Sequence, residues 1–282
     1  MDEWALAHYG GRVPTLPSGD IQPHRLREVA ESFGDDADRY ARARPDYPTA
    51  MIDRIVAAAP GPDVLDVGCG TGIAARQFQA AGCRVLGVEP DARMAAVATG
   101  VEVEASAIET WDPAGRTFDA VVAAQAWHWV DPVAGTAKAA EALRPGGLLA
   151  VFWNVFLPPQ EVADAFAAVY RDAAPGLPFT PWAAPAFDAY TSMFAKAEDG
   201  IRAASAFGEP ERWRTDWARP YTRDEWLEQV PTFGGFSRIP PDQGQAILAG
   251  IGAAIDAAGG GFTMGFTTLA VTAALAVAAG PG

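Results

Sequence analysis

The stretch VLDVGCGTG, residues Val64–Gly72, has the pattern of a buried strand that runs into a glycine-rich turn. Glycine stands at every second position of the turn, as Gly68, Gly70 and Gly72. Because glycine lets the backbone adopt left-handed conformations and approach a ligand closely, a turn of this kind commonly holds a nucleotide. Asp66 lies two residues before the first glycine, and its carboxylate limits which nucleotide can bind there.

The surrounding chain alternates between strand and helix patterns from about residue 48 to residue 150. This alternation predicts an α/β fold with a doubly wound, Rossmann-like, mostly parallel sheet, whose ligands bind at the carboxyl ends of the strands. The predicted strands are Val64–Val67, Val85–Val88, Val101–Glu104, Phe118–Ala124 and Leu148–Trp153, and the predicted helices are Thr49–Ala59, Ile73–Ala81, Ala92–Thr99 and Val133–Leu143. The last helix is expected to stop at Arg-Pro-Gly-Gly.

The chain divides into four predicted segments around this pattern. Residues 1–45 are a cap segment, residues 46–153 are the nucleotide-binding core, and residues 154–245 form a substrate lid too irregular for a second sheet. Within the lid, Arg212–Trp217 is expected to return a strand to the sheet edge. Residues 246–282 hold a helix end and a final strand, because the apolar stretch Phe262–Ala279 is rich in strand-forming residues and favours a buried strand or hairpin over a membrane span.

Composition narrows the range of partners. The chain has 282 residues, of which 50% are hydrophobic and 20% charged, and this is typical of a packed globular protein. A formal net charge of −14 argues against nucleic acid and anionic membranes as partners. We expect a small molecule as the partner, and a monomer or homodimer. Two cysteines, Cys69 and Cys83, fit neither a zinc pattern nor a disulfide framework. With no metal-ligand spacing and no signal-peptide pattern, we expect no metal and a cytoplasmic location.

The carboxylate in the turn favours a cationic ligand. A dinucleotide site prefers G-x-G-x-x-G, whereas here the third glycine comes one position early. Asp66 would repel a pyrophosphate, but it would attract the amino group and sulfonium of S-adenosyl-L-methionine. Glu89 follows the second strand, where a carboxylate accepts hydrogen bonds from ribose hydroxyls. The spacing therefore favours S-adenosylmethionine over NAD(P).

With these residues the chain resembles the class I S-adenosylmethionine-dependent methyltransferases, in the small-molecule branch of the type 11 kind, which is marked by D-x-G-x-G-x-G. Further matches follow in order: VEPDARM (Val88–Met94), FDAVVAAQAWHW (Phe118–Trp129) and LRPGG (Leu143–Gly147). The resemblance implies a seven-stranded sheet with an antiparallel C-terminal strand and a helical lid. It also implies S-adenosyl-L-methionine as cofactor and S-adenosyl-L-homocysteine as product.

The resemblance further implies a set of cofactor contacts. Tyr40 and Arg44 match an aromatic and basic pair that closes over the cofactor and its carboxylate in this branch, although Arg39, Arg42 and Arg44 also fit a solvated helix face. Ser106–Ala107–Ile108 replaces the family's frequent Asp-Ala-Glu, so the adenine contact departs from the pattern. The implied contacts are Tyr40, Arg44, Asp66, Gly68, Cys69, Gly70, Glu89, Pro90, Met94, Ser106, Ala107, Ile108 and Gln125.

Two aromatic side chains after the fourth strand are the predicted catalytic residues. His128 is expected to act as a base or as a hydrogen-bond donor to the acceptor; the alternative is a structural histidine that supports the loop. Trp129 is similar to tryptophans of juvenile hormone acid and trans-aconitate methyltransferases, where the acceptor is a carboxylate; the alternative is core packing. Trp127 is expected to pack in the core. The lid tryptophans Trp182, Trp213, Trp217 and Trp226 are expected to pack or to line an apolar pocket.

These observations predict an enzyme that methylates a small, fairly hydrophobic acceptor, on oxygen and with a carboxylate as one option. Methylation on nitrogen or carbon by the same scaffold is an alternative, because the fold does not set the acceptor. A non-catalytic protein that only binds S-adenosylmethionine is another alternative.

Overall fold

The computed structural model describes residues 12–13, 30, 32–177 and 180–277. Its centre is a seven-stranded sheet in the order β3-β2-β1-β4-β5-β7-β6. The strands are β1 (Asp63–Val67), β2 (Arg84–Val88), β3 (Glu102–Glu104), β4 (Phe118–Ala124), β5 (Leu143–Leu157), β6 (Glu211–Thr222) and β7 (Gly261–Ala274). A separate two-residue ribbon pairs Arg12–Val13 with Ala184–Pro185.

The first five strands run parallel, and the C-terminal strand runs against its neighbours. Leu65 of β1 lies opposite Leu86 of β2 and Val121 of β4. β7 is antiparallel to both β5 and β6, with Val271 opposite Val151 and Ala270 opposite Trp213. A strand enclosed in this way is buried, which explains its apolar sequence. The arrangement confirms the predicted mixed sheet with an antiparallel C-terminal strand.

Helices cover both faces of the sheet. On one face of the sheet, α5 and α7 pack against Leu65 and Val121. On the other face, α2 and α3 pack against Val64 and Ala120. A side chain alternates between faces along a strand, so neighbouring residues of β1 and β4 enter different cores. The helices are α1 (Ala37–Ala43), α2 (Thr49–Ala58), α3 (Ile73–Ala80), α4 (Ala92–Ala96), α5 (Pro132–Ala142), α6 (Gln160–Ala173), α7 (Ala186–Ala204), α8 (Arg223–Gln229) and α9 (Pro241–Ala257).

A third apolar cluster lies at the carboxyl end of β5. It joins α6, α8 and α9 to Phe156 of β5 and Phe266 of β7, which lie opposite each other in the sheet. Trp226 of α8 is fully buried in this cluster, with its ring centroid 6.4 Å from that of Phe156. The helices after β5 therefore cover the end of the sheet where ligands of this fold class bind.

Several predicted bounds differ from the structure. β5 runs from Leu143 to Leu157 instead of Leu148–Trp153. Its start is extended because Leu143 pairs with Phe118 of β4, so LRPGG lies within the strand and α5 ends at Ala142. Its end is extended because Leu148–Leu157 pair with β7. α4 ends at Ala96 instead of Thr99, shortly before the left-handed turn at Gly100. β6 covers twelve residues, because it pairs with β7 from Glu211 to Thr222 rather than only over Arg212–Trp217.

The segment after β5 contains more core than its irregular sequence predicts. Tyr190, Phe194 and Ile201 of α7 share a buried cluster with Trp153. Only part of residues 154–245 is therefore available as a lid. Of the predicted cap segment 1–45, residues 1–11, 14–29 and 31 lie outside the described residues; the rest includes a short 3-10 turn at Ser32–Asp36 and α1. The end of the predicted Phe262–Ala279 stretch, from residue 278, also lies outside them.

Two sequence expectations concern cysteines and membranes. Cys69 and Cys83 are both buried free thiols. Within the described part of the chain, none of the helices combines the length and the apolarity needed to cross a bilayer.

Candidate active site

The glycine turn after β1 has a backbone that only glycine adopts without strain. Gly68, Gly70 and Gly72 have φ values of +63°, +56° and +80°. A Cβ on Gly68 would lie 2.5 Å from Cβ of Ala126, in the loop that follows β4. At Gly70 it would lie 3.4 Å from Cε of Met94. The turn, the loop after β4 and the start of α4 therefore meet at one place.

Asp66 is a buried carboxyl group without a partner beneath this turn. Its side chain is fully buried, and neither oxygen forms a hydrogen bond of normal geometry; the nearby backbone amide of Ala75 only partly offsets the effect of burial on the pKa. Burial, followed by the nearby charge of Glu89, raises the pKa of Asp66 to about 8. The hydroxyl of Thr71 in the same turn is also buried and unpaired. Since unpaired buried polar atoms are costly, a cationic donor placed at this position would remove the penalty and favour the ionised form of Asp66.

Glu89 at the end of β2 is held by the backbone. Its Oε2 accepts from the amide of Gly70 at 2.8 Å, and its Oε1 accepts from the amide of Asp91 at 2.9 Å. Burial raises the pKa of Glu89. Each carboxylate oxygen keeps a lone pair that can accept a hydroxyl hydrogen. Pro90, the next residue, is exposed.

The predicted adenine side contains Ser106–Ala107–Ile108. The Ser106 amide donates to the carbonyl oxygen of Glu89 at 3.2 Å, which brings the segment next to the ribose position. The hydroxyl of Ser106 donates to the Ala107 carbonyl oxygen at 3.0 Å. The Ile108 side chain is buried in the core, so only its backbone can contact a ligand.

Cys69 belongs to the packing of the turn. A Cβ placed on Gly87 would lie 2.5 Å from Sγ of Cys69, so the thiol occupies the space next to this glycine of β2. Burial raises the pKa of Cys69 and keeps it a neutral thiol. Any ligand contact from Cys69 would come from its backbone.

Arg44 lies at the end of α1 among aromatic rings. Its guanidinium carbon is 4.9 Å from the ring centroid of Tyr40 and 4.8 Å from that of Phe233. Its Nη2 donates to the carbonyl oxygen of Thr232 at 2.6 Å, whereas its Nε is buried without a hydrogen bond. Among the described residues Arg44 has no carboxylate partner.

The two other arginines of this segment are different from Arg44. Arg39 and Arg42 both form ion pairs with Glu228 of α8. Arg42 is largely exposed, as expected for a solvated helix face. The alternative of a solvated helix face therefore applies to Arg42 and does not apply to Arg44.

Gln125 follows β4 with a left-handed backbone. Its φ of +57° is uncommon for a residue other than glycine and marks local strain. Its Nε2 donates to the carbonyl oxygen of Asn154 at 3.2 Å, and the hydroxyl of Tyr190 donates to the same oxygen at 3.2 Å. These two hydrogen bonds connect the ends of β4 and β5 to each other and to α7.

His128 lies in a 3-10 turn, Trp127–Trp129, after β4. Its Nδ1 is 3.1 Å from the indole Nε1 of Trp153 in β5. An indole N–H only donates, so Nδ1 must present its lone pair and the proton of the neutral ring must be on Nε2. Burial lowers the pKa of His128 to about 3. In this geometry the side chain can donate from Nε2, but it cannot accept a proton without losing the bond from Trp153.

The tryptophans beside His128 have different surroundings. Trp127 is buried in the core below the loop. Trp129 is partly exposed, with its ring centroid 4.7 Å from that of His128 and 6.0 Å from that of Phe33. Trp129 is therefore available to a ligand, whereas Trp127 packs as expected.

The lid tryptophans pack against other rings. Trp217 stacks on Phe266 with centroids 4.2 Å apart, and Arg54 lies 4.2 Å over the ring of Trp213. Trp182 and Trp226 are fully buried in the cluster at the end of β5.

Sequence reasoning missed three residues that organise this edge: Trp153, Asn154 and Tyr190. Trp153 is the last residue of a predicted strand, whereas Asn154 and Tyr190 lie in the segment predicted as an irregular lid, so no local pattern distinguishes them from packing residues. In the described part of the chain, no group of three His, Cys, Asp or Glu side chains has an arrangement that could hold a metal ion.

Comparisons with known proteins find similarity to methyltransferases. An uncharacterized methyltransferase of Mycobacterium tuberculosis is 39% identical over 133 residues, which cover 45% of this chain and 54% of that protein. A ubiquinone biosynthesis O-methyltransferase of Bradyrhizobium is 35% identical over 97 residues, which cover 31% of this chain and 38% of that protein. The chain thus matches about half or less of the length of these curated relatives.

The fold also matches a solved structure from Anaeromyxobacter dehalogenans that is assigned as a type II methyltransferase. The TM-score is 0.57 at 23% sequence identity, with 83% of this chain and 98% of that chain covered. A family model described as a methyltransferase domain matches residues 40–186 of the 282-residue chain. The chain belongs to this family of methyltransferase domains, and its sheet is that of the class I S-adenosylmethionine-dependent methyltransferases.

Proposed function

We propose that this enzyme transfers the methyl group of S-adenosylmethionine to an oxygen atom of a small, fairly hydrophobic acceptor, with a carboxylate as the first candidate. The observation that carries the proposal is the bond from Trp153 to Nδ1 of His128, which leaves a hydrogen-bond donor and no base at the predicted methyl-transfer site. A carboxylate is already ionised at neutral pH and needs no base, whereas a phenol or an alcohol must lose a proton.

The residues of the carboxyl edge fit the cofactor. S-adenosylmethionine, when bound, supplies a methyl group already activated on a sulfonium. Asp66 would face its cationic end, because a buried unpaired carboxyl group is stabilised by a positive charge. Glu89 would accept from the ribose hydroxyls through its remaining lone pairs. The other proposed contacts are Tyr40, Arg44, Gly68, Cys69, Gly70, Pro90, Met94, Ser106, Ala107, Ile108 and Gln125.

The turn that carries His128 and Trp129 would orient the acceptor. Methyl transfer is an in-line displacement, so the protein's main task is to hold the acceptor oxygen in line and exclude water. Nε2–H of His128 and the indole N–H of Trp129 are the two donors proposed to hold that oxygen. Phe33, which contacts Trp129, would help to exclude water from this side.

Two further observations support an oxygen acceptor of small size. The Bradyrhizobium relative is named for an O-methyltransferase activity, at 35% identity over 97 residues. The net charge of −14 disfavours nucleic acid, whose phosphates need clustered basic residues.

The test is release of S-adenosylhomocysteine from labelled cofactor across a panel of carboxylic acids, phenols and amines. We expect turnover with acids, and we expect His128→Ala and Trp129→Phe each to lower kcat/KM by about tenfold, as for one lost hydrogen bond. Lys138→Ala, which removes only a surface ion pair with Glu141, is the control and should leave the rate unchanged.

Other outcomes would contradict the proposal. Turnover limited to phenols, and abolished in His128→Ala, would identify His128 as a base. Turnover limited to amines would replace oxygen by nitrogen as the acceptor atom. Tight cofactor binding with no turnover on the whole panel would favour a non-catalytic role.

A further inference from the structure

In the described part of the chain, eight of the ten buried side-chain polar atoms that lack a hydrogen-bond partner lie at two places; the other two are Nε of Arg39 and Nε1 of Trp127. Native proteins pair almost all such atoms, so a concentration of unpaired ones indicates where a ligand is missing. The first place is the glycine turn, with Asp66 and Thr71. The second, which we name the donor cluster, consists of Nε of Arg44, the hydroxyl of Tyr221, Nε1 of Trp226 and both amide atoms of Gln229; the guanidinium of Arg219 lies beside Tyr221 and can donate to its hydroxyl.

The side chains of the donor cluster lie close to one another. Phe233 has the Arg44 guanidinium 4.8 Å from its ring centroid on one side and the Trp226 ring 5.9 Å away. The ring of Tyr221 is 5.1 Å from that of Trp226. Gln229 follows Trp226 by three residues and so lies on the same face of α8. Trp226, Tyr221 and Gln229 are each more than nine-tenths buried.

A backbone bridge connects Arg44 to the end of α8. Arg44 donates to the carbonyl oxygen of Thr232, and the hydroxyl of Thr232 donates to the carbonyl oxygen of Gln229 at 2.6 Å. This bridge uses backbone oxygens only. The Gln229 amide and Nε of Arg44 therefore remain free for another molecule.

The cluster has the chemistry of an anion site. Guanidinium and indole groups only donate, and the phenol and amide can donate as well. The neighbouring carboxylates are occupied: Glu225 accepts from the amide and hydroxyl of Thr222 at 2.8 and 2.9 Å, and Glu228 pairs with Arg39 and Arg42. The positive charge of Arg44 is thus locally uncompensated in a protein of net charge −14.

Aromatic rings form the walls around these donors. Phe156 lies 5.7 Å from Phe233 and 4.8 Å from Phe266, measured between ring centroids. Donor groups surrounded by apolar rings suit a carboxylate attached to an apolar body. An inorganic anion would gain nothing from such walls.

The donor cluster is connected to the predicted methyl-transfer site. Arg44 contacts the ring of Tyr40, which is 5.9 Å from that of Phe33. Phe33 in turn contacts Trp129. A molecule that reaches Arg44 is therefore a few rings away from the His128 turn.

We propose that the donor cluster binds a carboxylate of the methyl acceptor other than the group that receives the methyl, and that Tyr221, Trp226 and Gln229 select acceptors that carry this carboxylate on an apolar body. The inference rests on the proposed function, of which it names the substrate class. It also gives Arg44 a second role. Its Nε would donate a hydrogen bond to the acceptor's carboxylate, while another part of the same guanidinium would contact the carboxylate of the cofactor.

The first experiment compares one substitution at two glutamines: Gln229, which is fully buried, and Gln77, which is partly buried. Gln229→Met removes an amide without partners, so the melting temperature should stay the same or rise. Gln77→Met is the matched control, because the Gln77 amide is paired in both directions with the backbone of Tyr47, at 2.9 and 2.8 Å, and its loss should lower the melting temperature by several degrees. An equal fall in both variants would mean that Gln229 has a structural partner, and it would overturn the inference.

The second experiment measures binding of benzoate and of benzyl alcohol to the enzyme loaded with S-adenosylhomocysteine, by isothermal titration calorimetry. Benzoate should bind, and benzyl alcohol should bind at least about tenfold more weakly. Gln229→Met and Tyr221→Phe should each lower the affinity for benzoate by about tenfold and leave the affinity for S-adenosylhomocysteine unchanged.

The outcomes separate this inference from the proposed function. No binding of S-adenosylhomocysteine would contradict the proposed function itself. Binding of S-adenosylhomocysteine with equal affinity for benzoate and benzyl alcohol, or with benzoate affinity unaffected in both variants, would overturn only the carboxylate site. A loss of S-adenosylhomocysteine affinity in Gln229→Met would assign the cluster to the cofactor.

Discussion

The indole N–H of Trp153 donates to Nδ1 of His128 over 3.1 Å, and this bond decides which ring nitrogen carries the proton. Trp153 is fully buried in β5, so the core residues that pack around its side chain set its position. The histidine is thereby held as a neutral ring with its proton on Nε2. A residue that the sequence allows as a base becomes a fixed hydrogen-bond donor.

We expect His128 to remain neutral across the physiological range. Its pKa is lowered to about 3 by burial, so its ring resonances in NMR should not titrate above about pH 5. Because the folded pKa lies below the unfolded value of about 6.5, the contribution of His128 to stability is present above that value and declines as the pH falls towards 3. His128→Gln identifies its signal among the three histidines.

Trp153→Phe should release this histidine. Without the indole N–H the lone pair of Nδ1 becomes available to a proton, so the pKa of His128 should rise from its low value, while burial continues to hold it below the usual range. The ring should then titrate in NMR, and an acid limb should appear in the pH profile of methyl transfer. An unchanged titration curve would show that Trp153 does not control the proton.

Binding of the cofactor should release a proton from Asp66. Its pKa is raised to about 8, so at pH 7 the group is mostly protonated until a cation is placed beside it. Affinity for S-adenosylmethionine should therefore rise with pH between about 6.5 and 8. Calorimetry in buffers of different ionisation enthalpy measures the released proton directly, and Asp66→Asn should remove most of it.

The same group makes the ligand-free protein less stable as the pH rises. A carboxyl group whose folded pKa is raised binds more protons in the folded state, so stability decreases between about pH 4 and pH 8. Asp66→Asn should flatten that slope in thermal unfolding. A steeper slope in the variant would contradict the assignment.

Gly68→Ala should damage the fold more than Gly82→Ala. Both residues have left-handed φ values, +63° and +92°, and share a backbone penalty of about 1 kcal/mol. Only Gly68 also lacks space, because its Cβ would lie 2.5 Å from Ala126, whereas nothing lies within 4 Å of a Cβ on Gly82. Urea unfolding should show the difference, and Gly68→Ala should also lose cofactor binding.

Arg144→Met should affect stability without affecting the active site. Arg144 joins Asp63 of β1 and Asp119 of β4 at 2.9 and 2.7 Å, at the amino ends of these strands and away from the ligand edge. We expect a loss of about 1–3 kcal/mol in the free energy of unfolding and unchanged affinity for S-adenosylhomocysteine. Lys138→Met, at an exposed pair, should change stability by less than about 0.5 kcal/mol.

The acid sensitivity of this contact has a defined direction. Hydrogen bonds from Arg84 and Arg144 hold the pKa of Asp63 below its usual range. The stabilisation is therefore present above about pH 4 and is lost as the pH falls below that. Arg144→Met should show a smaller loss of stability in acid than the unmodified protein.

The sequence by itself determined the succession of parallel strands along the chain and the residue types of the glycine turn. Asp66, Gly68 and Glu89 are recognisable because their spacing encodes a local geometry, a strand followed by a left-handed turn and a second strand end. Phe118–Ala124 was predicted with its observed bounds because a strand buried on both faces reads as a continuous apolar run. The antiparallel position of the final strand was implied by the family resemblance.

Only the tertiary structure decided the length of β5 and the roles of His128 and Arg44. β5 extends to Leu157 because β7, more than a hundred residues later, supplies its hydrogen bonds. The proton of His128 is placed by Trp153, and Arg44 is drawn away from the solvated face by Thr232 and Phe233. Each of these depends on a partner distant in sequence, and periodicity carries information only about residues that are close along the chain.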